Sequence, residues 1–181
     1  PGSANAQAND FFRTAIDVCQ RLRRRGVLLT KYPEQLPETL PDGIVHFDFV
    51  PFGALMPRAA GAVHHGGIGS CAQAFSAGIP QLAMPMAYDQ LDNATRLKNL
   101  GVGEYLPAKK FRPDRVEPLL TRLISSTQVR DRCRELAGRC ETAAPLETAC
   151  ELLEALLSRS IEQLPGATFD SRDFSRASAD S

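Results

Sequence analysis

The stretch Ala62-Val-His-His-Gly-Gly-Ile-Gly-Ser-Cys-Ala-Gln-Ala-Phe-Ser-Ala-Gly-Ile-Pro80 limits the fold more than any other part of the chain. The apolar pair Ala62 and Val63 reads as a buried strand end, Gly66, Gly67 and Gly69 as a permissive turn, and Ser70–Ala77 as a helix stopped by Gly78. A strand, glycine turn and helix in that order bring free backbone N–H groups and the positive end of a helix dipole to one point. Phosphate binds readily at such a point. Two histidines and a serine stand at the mouth of this turn, so side-chain donors can join the backbone ones.

The rest of the chain repeats the same alternation. Asn9 or Asp10 is expected to cap a helix to about Arg25, with Phe12, Ile16, Cys19 and Leu22 on one face and Gly26 as the stop. Val27–Thr30 reads as a strand buried on both faces. The three-proline segment from Tyr32 to Gly43 reads as a loop. Ile44–Val50 is a second expected strand, with Val45, Phe47 and Phe49 on one side and His46 and Asp48 on the other, stopped by Pro51. Phe52–Arg58 is a short connection with Leu55 and Met56 inward, Gly61–His64 a third strand and Gln81–Met84 a fourth.

Asp89 is the expected cap of a helix through Leu100, and Glu104–Leu106 an edge strand. Pro113 opens a helix to Ser125 in which Pro118 predicts a late start or a kink. Ser126 or Thr127 caps a helix to Cys140, and Pro145 opens another through Gln163, apolar at Leu146, Ala149, Leu152, Leu153, Leu156 and Leu157. The expected fold class is therefore α/β, a doubly wound, Rossmann-like parallel sheet over residues 1–164. The polar tail 165–181 is expected to be disordered.

Charge and cysteine usage exclude several function classes. Lys plus Arg equals Asp plus Glu at 21 each, which argues against a nucleic-acid binder relying on a broad basic field. The cluster Arg21, Arg23, Arg24 and Arg25 reads as a solvated helix end meeting the dipole. Cys19, Cys71, Cys133, Cys140 and Cys150 form an odd set without a C-x-x-C pair, which fits a reduced, cytoplasmic setting. No apolar run approaches the ~18 residues of a membrane span. His46, His64 and His65 lack metal-ligand spacing, so no metal or cofactor is expected.

Taken with Phe49-Val-Pro-Phe52 before it and Pro85-Met-Ala-Tyr-Asp89-Gln90 after it, the glycine turn closely resembles that of family 1 glycosyltransferases, such as the bacterial macrolide enzymes and the plant UDP-glycosyltransferases. The resemblance covers about residues 1–160 and implies the C-terminal, donor-binding half of the GT-B fold with its first strand missing. It places His65, Gly67, Gly69, Ser70 and Cys71 at a donor diphosphate, with Ser3 of the first turn Gly2-Ser3 beside them. Phe49, Val50, Phe52 and Gln73 fall at the base and ribose, and Asp89 and Gln90 at the sugar hydroxyls. Phe49 stands where plant members stack a tryptophan on uracil, and Gln73 where they hold ribose with a glutamate.

The resemblance further implies inverting transfer of a hexosyl group from a nucleotide sugar, with UDP as the expected nucleotide, to a small or lipid-like hydroxyl acceptor. No metal is implied. The general base, a histidine in the acceptor-binding N-terminal half, has no match here, so the chain alone is expected to bind donor without catalysing transfer. His46, outside the motif, reads as structural. Two alternatives remain: a donor-binding subunit of a two-chain glycosyltransferase, and a non-catalytic nucleotide-sugar module. Nothing in the chain supports membrane association of a larger protein.

Overall fold

The computed structural model describes residues 8–142 and 145–162. They fall into two compact units, Pro1–Glu141 and Thr142–Ser181. The expected polar tail and the Gly2-Ser3 turn lie outside the described residues. In the second unit, α7 (Pro145–Glu162) exposes Leu152, Leu153 and Leu156.

The first unit is the expected parallel, doubly wound architecture. α1 (Asn9–Arg21) precedes β1 (Gly26–Leu29) and β2 (Ile44–Phe47), which pair in parallel. A short α2 (Phe52–Leu55) leads to β3 (Ala62–His64), α3 (Ile68–Ser76), β4 (Gln81–Ala83), α4 (Gln90–Asn99) and β5 (Gly103–Tyr105). β3, β4 and β5 form a second parallel sheet in that order. α5 (Pro113–Ser125) and α6 (Thr127–Thr142) complete the unit. Alternation along β4 shows why helices cover both faces. Leu82 packs with Phe11, Phe12 and Ile16 of α1 and Val116 and Leu123 of α5, whereas Ala83 packs with Cys71, Ala94, Leu97, Cys133 and Leu136 of α3, α4 and α6.

Local chemistry moves several expected boundaries. α1 starts one residue after Ala8, and no side chain caps it, so neither Asn9 nor Asp10 has that role. It stops at Arg21 rather than Arg25, because Arg23 takes φ 49°, a left-handed conformation that ends the helix before Gly26 is reached. Gly26 opens β1 instead, where a side chain would meet Ile44 Cδ1 at 2.9 Å. α3 begins at Ile68 rather than Ser70, with Gly67 as its N-cap, and Ser126 accepts the Val129 N–H (3.3 Å) as the expected cap of α6. Pro118 lies inside α5, which starts at Pro113 without delay. β2 ends at Phe47 rather than Val50, with Val45 and Phe47 about half exposed and Ile44 buried.

β1 and β3 are not paired with each other, and both line one cavity of about 1170 Å³ with α1 and α5 between them. The register fixes which backbone groups face it. Gly26 and Thr30 donate towards β2 and Ala62 towards Pro80, so Val27, Leu29 and Val63 turn their N–H and C=O groups to the free edges. This is the place expected for a further strand. In amide hydrogen exchange, Val27, Leu29 and Val63 are expected to exchange faster than their neighbours Leu28 and His64, by about 10-fold or more, since only the latter sit in ladder bonds. Equal protection at all five would contradict the register.

Candidate donor site

The cavity runs along β1 and β3 from their amino ends, at Gly26 and Ala62, to their carboxyl ends, at Thr30 and His65, and the carboxyl ends are where parallel α/β sheets place their ligands. Its lining there includes Phe49, Val50 and Phe52 after β2, and His65, Ser70 and Gln73 at the β3–α3 junction. Six of the residues singled out from the sequence thus meet around one hollow. Asp89 and Gln90 do not line it; they stand at the start of α4, whose Gln90 carbonyl would meet a side chain at Gly66 at 3.0 Å.

The glycine turn is held by a buried chain of hydrogen bonds. The Gly66 N–H donates to His64 Nδ1 (2.9 Å), which leaves the ring proton on Nε2 to donate to Gln81 Oε1 (2.9 Å). Gln81 Nε2 then donates to the Cys71 carbonyl (3.4 Å). Gly66 sits at φ 88°, where only glycine avoids strain, and Asn93 Nδ2 donates to its carbonyl (2.9 Å) and to Asp89 Oδ2 (2.8 Å). Gln81 and Asn93 were missed by motif reasoning; the one available signal was a glutamine in the otherwise apolar strand Gln81-Leu-Ala-Met84.

That chain fixes the first turn of α3, of which Ser70 lines the hollow. The N–H groups of Ile68, Gly69 and Ser70 have no acceptor within the helix, and that of Gly67 finds none among the described residues. The Cys71 N–H differs: it donates to the Gly67 carbonyl (3.1 Å), so the Cys71 amide drops out of the expected cradle. Burial pushes the Cys71 thiol up to about 11, an unreactive packing group. The His65 ring lies over Gly67, where an added methyl would strike Nε2. Burial lowers the His65 pKa, against an opposing pull from Asp89, so at neutral pH the ring offers one N–H donor.

Phe49 is 74% exposed, which removes core packing as its role and leaves a free aromatic face at the mouth. Phe52 is half-buried and packs beside Met56, Ala74 and Ile79. Gln73 is exposed on α3. Asp89 precedes α4 but caps no N–H with its side chain. Gln90 is buried, with Oε1 accepting the Met86 (2.9 Å) and Ala87 (3.2 Å) N–H groups, which leaves its Nε2 as donor. His46 is structural: a ring nitrogen bonds the Thr30 carbonyl (2.9 Å). Among the described residues no three potential metal ligands come together, and no helix is long and apolar enough to cross a membrane.

Parallel sheets wound on both faces, with uncommitted helix-start amides after β3, define an α/β domain of the kind that forms half of GT-B glycosyltransferases. The chain belongs to the family described as erythromycin biosynthesis protein CIII-like, C-terminal domain, which matches residues 27–156. It is 35% identical over 132 residues to aklavinone 7-beta-L-rhodosaminyltransferase of Streptomyces galilaeus, covering 71% of this chain and 30% of that protein. The glycosyltransferase VinC, solved in complex with dTDP, aligns with a TM-score of 0.69 at 28% identity, over 83% of this chain and 37% of its own. The calicheamicin glycosyltransferase CalG4 shares the fold with a TM-score of 0.77 at 24% identity, over 88% and 42%. The chain thus spans about a third of the length of the curated relatives it matches.

His64 supplies a test of the buried network. Burial drives its pKa down to about 4 from an ordinary 6.5. The folded state therefore favours the neutral ring, and the unfolded state binds more protons between those values. This contribution is complete above about pH 6.5 and is lost as pH falls towards 4, on the order of 3 kcal/mol, with His65 adding the same sign. Urea unfolding midpoints should fall over that window, and His64→Gln should flatten the slope.

Proposed function

We propose that this chain is the donor-binding domain of a glycosyltransferase that moves a hexosyl group from a nucleoside diphosphate sugar to a hydroxyl of a small or lipid-like acceptor, with inversion. The observation that carries the reading is the run of uncommitted N–H donors from Gly67 to Ser70 at the start of α3, with His65 and Ser70 lining the hollow beside it. In such a transfer the acceptor oxygen bonds to the anomeric carbon as the bond to the diphosphate breaks, and negative charge grows on the departing phosphates. Donors fixed at that point stabilise the transition state more than the ground state. The Ser70 hydroxyl, the His65 N–H and the amides of Gly67, Ile68 and Gly69 fill that role.

At the other end of the ligand, Phe49 stacks on the base, Val50 and Phe52 line its edge, and Gln73 faces the ribose. Asp89 and the free Nε2 of Gln90 hold the sugar hydroxyls. The nucleotide is dTDP ahead of UDP. VinC, which shares the fold at 28% identity, was solved in complex with dTDP, and a neutral amide at Gln73 makes a weaker claim on a ribose 2′-hydroxyl than a carboxylate would. The acceptor, the general base and the orienting carboxylate come from an acceptor-binding domain. The reaction needs no metal on this reading, and the setting is cytoplasmic.

Calorimetric titration should show dTDP binding to the chain. Removing one hydrogen bond to a charged phosphate costs about 1.5–3 kcal/mol, so His65→Ala and Ser70→Ala should each weaken dTDP about 10- to 150-fold. Phe49→Ala should weaken it by about 1–3 kcal/mol if it stacks on the base. Gly67 has ordinary φ, so Gly67→Ala should match His65→Ala by displacing that ring, without unfolding the chain. Absence of heat with dTDP, UDP and GDP alike would defeat the reading.

A further inference from the structure

The gap between β1 and β3 has the chemistry of a strand acceptor. Val27, Leu29 and Val63 turn their N–H and C=O groups towards it, and these groups have no partner among the described residues. An open edge of this kind pairs readily with another extended chain, and here two edges border one cavity. Its walls come from two separate apolar clusters. Phe12, Ala15 and Leu120 belong to the one that also holds Val63, whereas Phe52, Met56 and Ile79 belong to the one that holds Ala62. Successive residues of β3 point to opposite faces, so a chain seated beside it meets apolar side chains above and below. That is the setting of a central parallel strand, which is apolar throughout rather than alternating. The edge from Gly26 to Thr30 sets its length at about five residues, roughly 16 Å.

Charge supplies a direction. Arg24 and Arg25 precede β1, Arg58 precedes β3, and all three line the cavity. They are exposed, and among the described residues their side chains have no ion pair or hydrogen bond. Asp42 lines a smaller hollow with Arg24 and Arg25 without pairing to either. The dipole of α1 suits cations at its own end but does not account for Arg58, which follows only a short helical turn. At the carboxyl end the cavity is lined by Lys31 and Asp48, of opposite sign. Only the amino end therefore favours an anion.

We infer that the gap binds a β-strand from a separate polypeptide: an apolar segment of about five residues led by carboxylates, parallel to β1 and β3, with its acidic end among Arg24, Arg25 and Arg58. The backbone of that segment satisfies both edges at once, and its side chains fill the space between the two apolar clusters. The carboxylates choose the direction, since a reversed chain would bring them beside Asp48 and leave the three arginines unpaired.

The probe is the peptide acetyl-Asp-Glu-Val-Ile-Val-Val-Ala-amide, followed by fluorescence anisotropy and by amide hydrogen exchange of the chain. It should bind saturably and slow exchange at Val27, Leu29 and Val63 by about 10-fold or more, leaving Leu28 and His64 unchanged. A peptide with proline at its two central apolar positions lacks those donors and should not bind. Arg24→Glu combined with Arg58→Glu should weaken the acidic peptide about 3- to 10-fold and strengthen one led by Lys-Lys, a reversal that loss of folding cannot produce. Tethering the same peptide ahead of the chain through a Gly-Ser linker raises its local concentration to about the millimolar range, so a lack of protection there would overturn the inference. Binding without protection of the three amides, equal binding of the proline peptide, or indifference to arginine reversal would overturn it as well. So would protection of the same amides in the chain alone at rising concentration, which would place a second copy in the gap. No nucleotide enters the experiment, so each of these results leaves the donor reading as it stands.

Discussion

The hydrogen bond from the Gly66 N–H to a neutral, buried His64 is the interaction on which the site depends. An imidazole with a proton on both nitrogens could not accept it, so burial of His64 and the geometry of the glycine turn sustain one another. Gln81 completes the arrangement by accepting from His64 and donating to the Cys71 carbonyl, which ties β3, the turn, α3 and β4 together through three side-chain bonds. The two adjacent histidines thus divide the labour. His64 is consumed by the scaffold, and His65 stays at the surface of the hollow with a donor to spare. A pattern of two histidines followed by glycines does not say which is which; the alternation of a strand does, since His64 ends β3 facing inward and the next residue turns the other way.

Magnitudes rank the contributions to anion binding. The dipole of α3 offers about 0.3–2 kcal/mol, and the helix is only nine residues long. Each specific donor to a charged phosphate is worth about 1.5–3 kcal/mol, and the amides of Gly67, Ile68, Gly69 and Ser70 are uncommitted here. The turn's chemistry therefore lies in which N–H groups remain uncommitted. Gly66 gives its amide to His64 and Cys71 gives its own to Gly67, while the amides between them stay free. Glycine at 66, 67 and 69 allows that division without side chains filling the space, and the nearness of the His65 ring to Gly67 shows how little space is left.

The organisation of the fold was legible in the sequence because apolar runs, glycine stops and proline starts all agreed on alternating strands and helices. What escaped was set by partners distant in sequence. Arg23 shows no sign of a left-handed conformation, yet it ends α1 where Gly26 looked the better stop, because Gly26 is needed flat against Ile44 and Cys19 at the start of β1. Strand β2 has the expected two-residue period, but periodicity gives only a phase; which face is buried depends on which has a neighbour, and Val45 and Phe47 are half exposed. Within the site, Phe49, Val50, Phe52, His65, Ser70 and Gln73 could be found from the motif, and Phe49 proves to be exposed. The supports Gln81 and Asn93 could not be found that way, because their partners are backbone atoms whose positions exist only in the folded chain.

The unpaired edges of β1 and β3 bear on how the two ends of the site are kept in register. The residues proposed for the base follow β2, those proposed for the diphosphate follow β3, and no backbone ladder joins the sheets that carry them. Their alignment rests on side-chain packing across the gap: Phe11 stacked on Phe111 at 5.1 Å, Phe12 and Leu82 in one cluster, and Arg21 reaching Glu117 at 3.5 Å. Packing of this kind is strong but tolerates small shifts that a row of ladder bonds would not. A strand seated between β1 and β3 would hold them about 10 Å apart, the width of two ladder spacings, and would turn the edge groups of Val27, Leu29 and Val63 into fixed constraints. The diphosphate cradle needs no such strand, because β3, α3 and β4 are already bound to each other. The distance from Phe49 to Ser70 does need it, so occupation of that gap would act on nucleoside recognition while leaving the phosphate contacts unchanged.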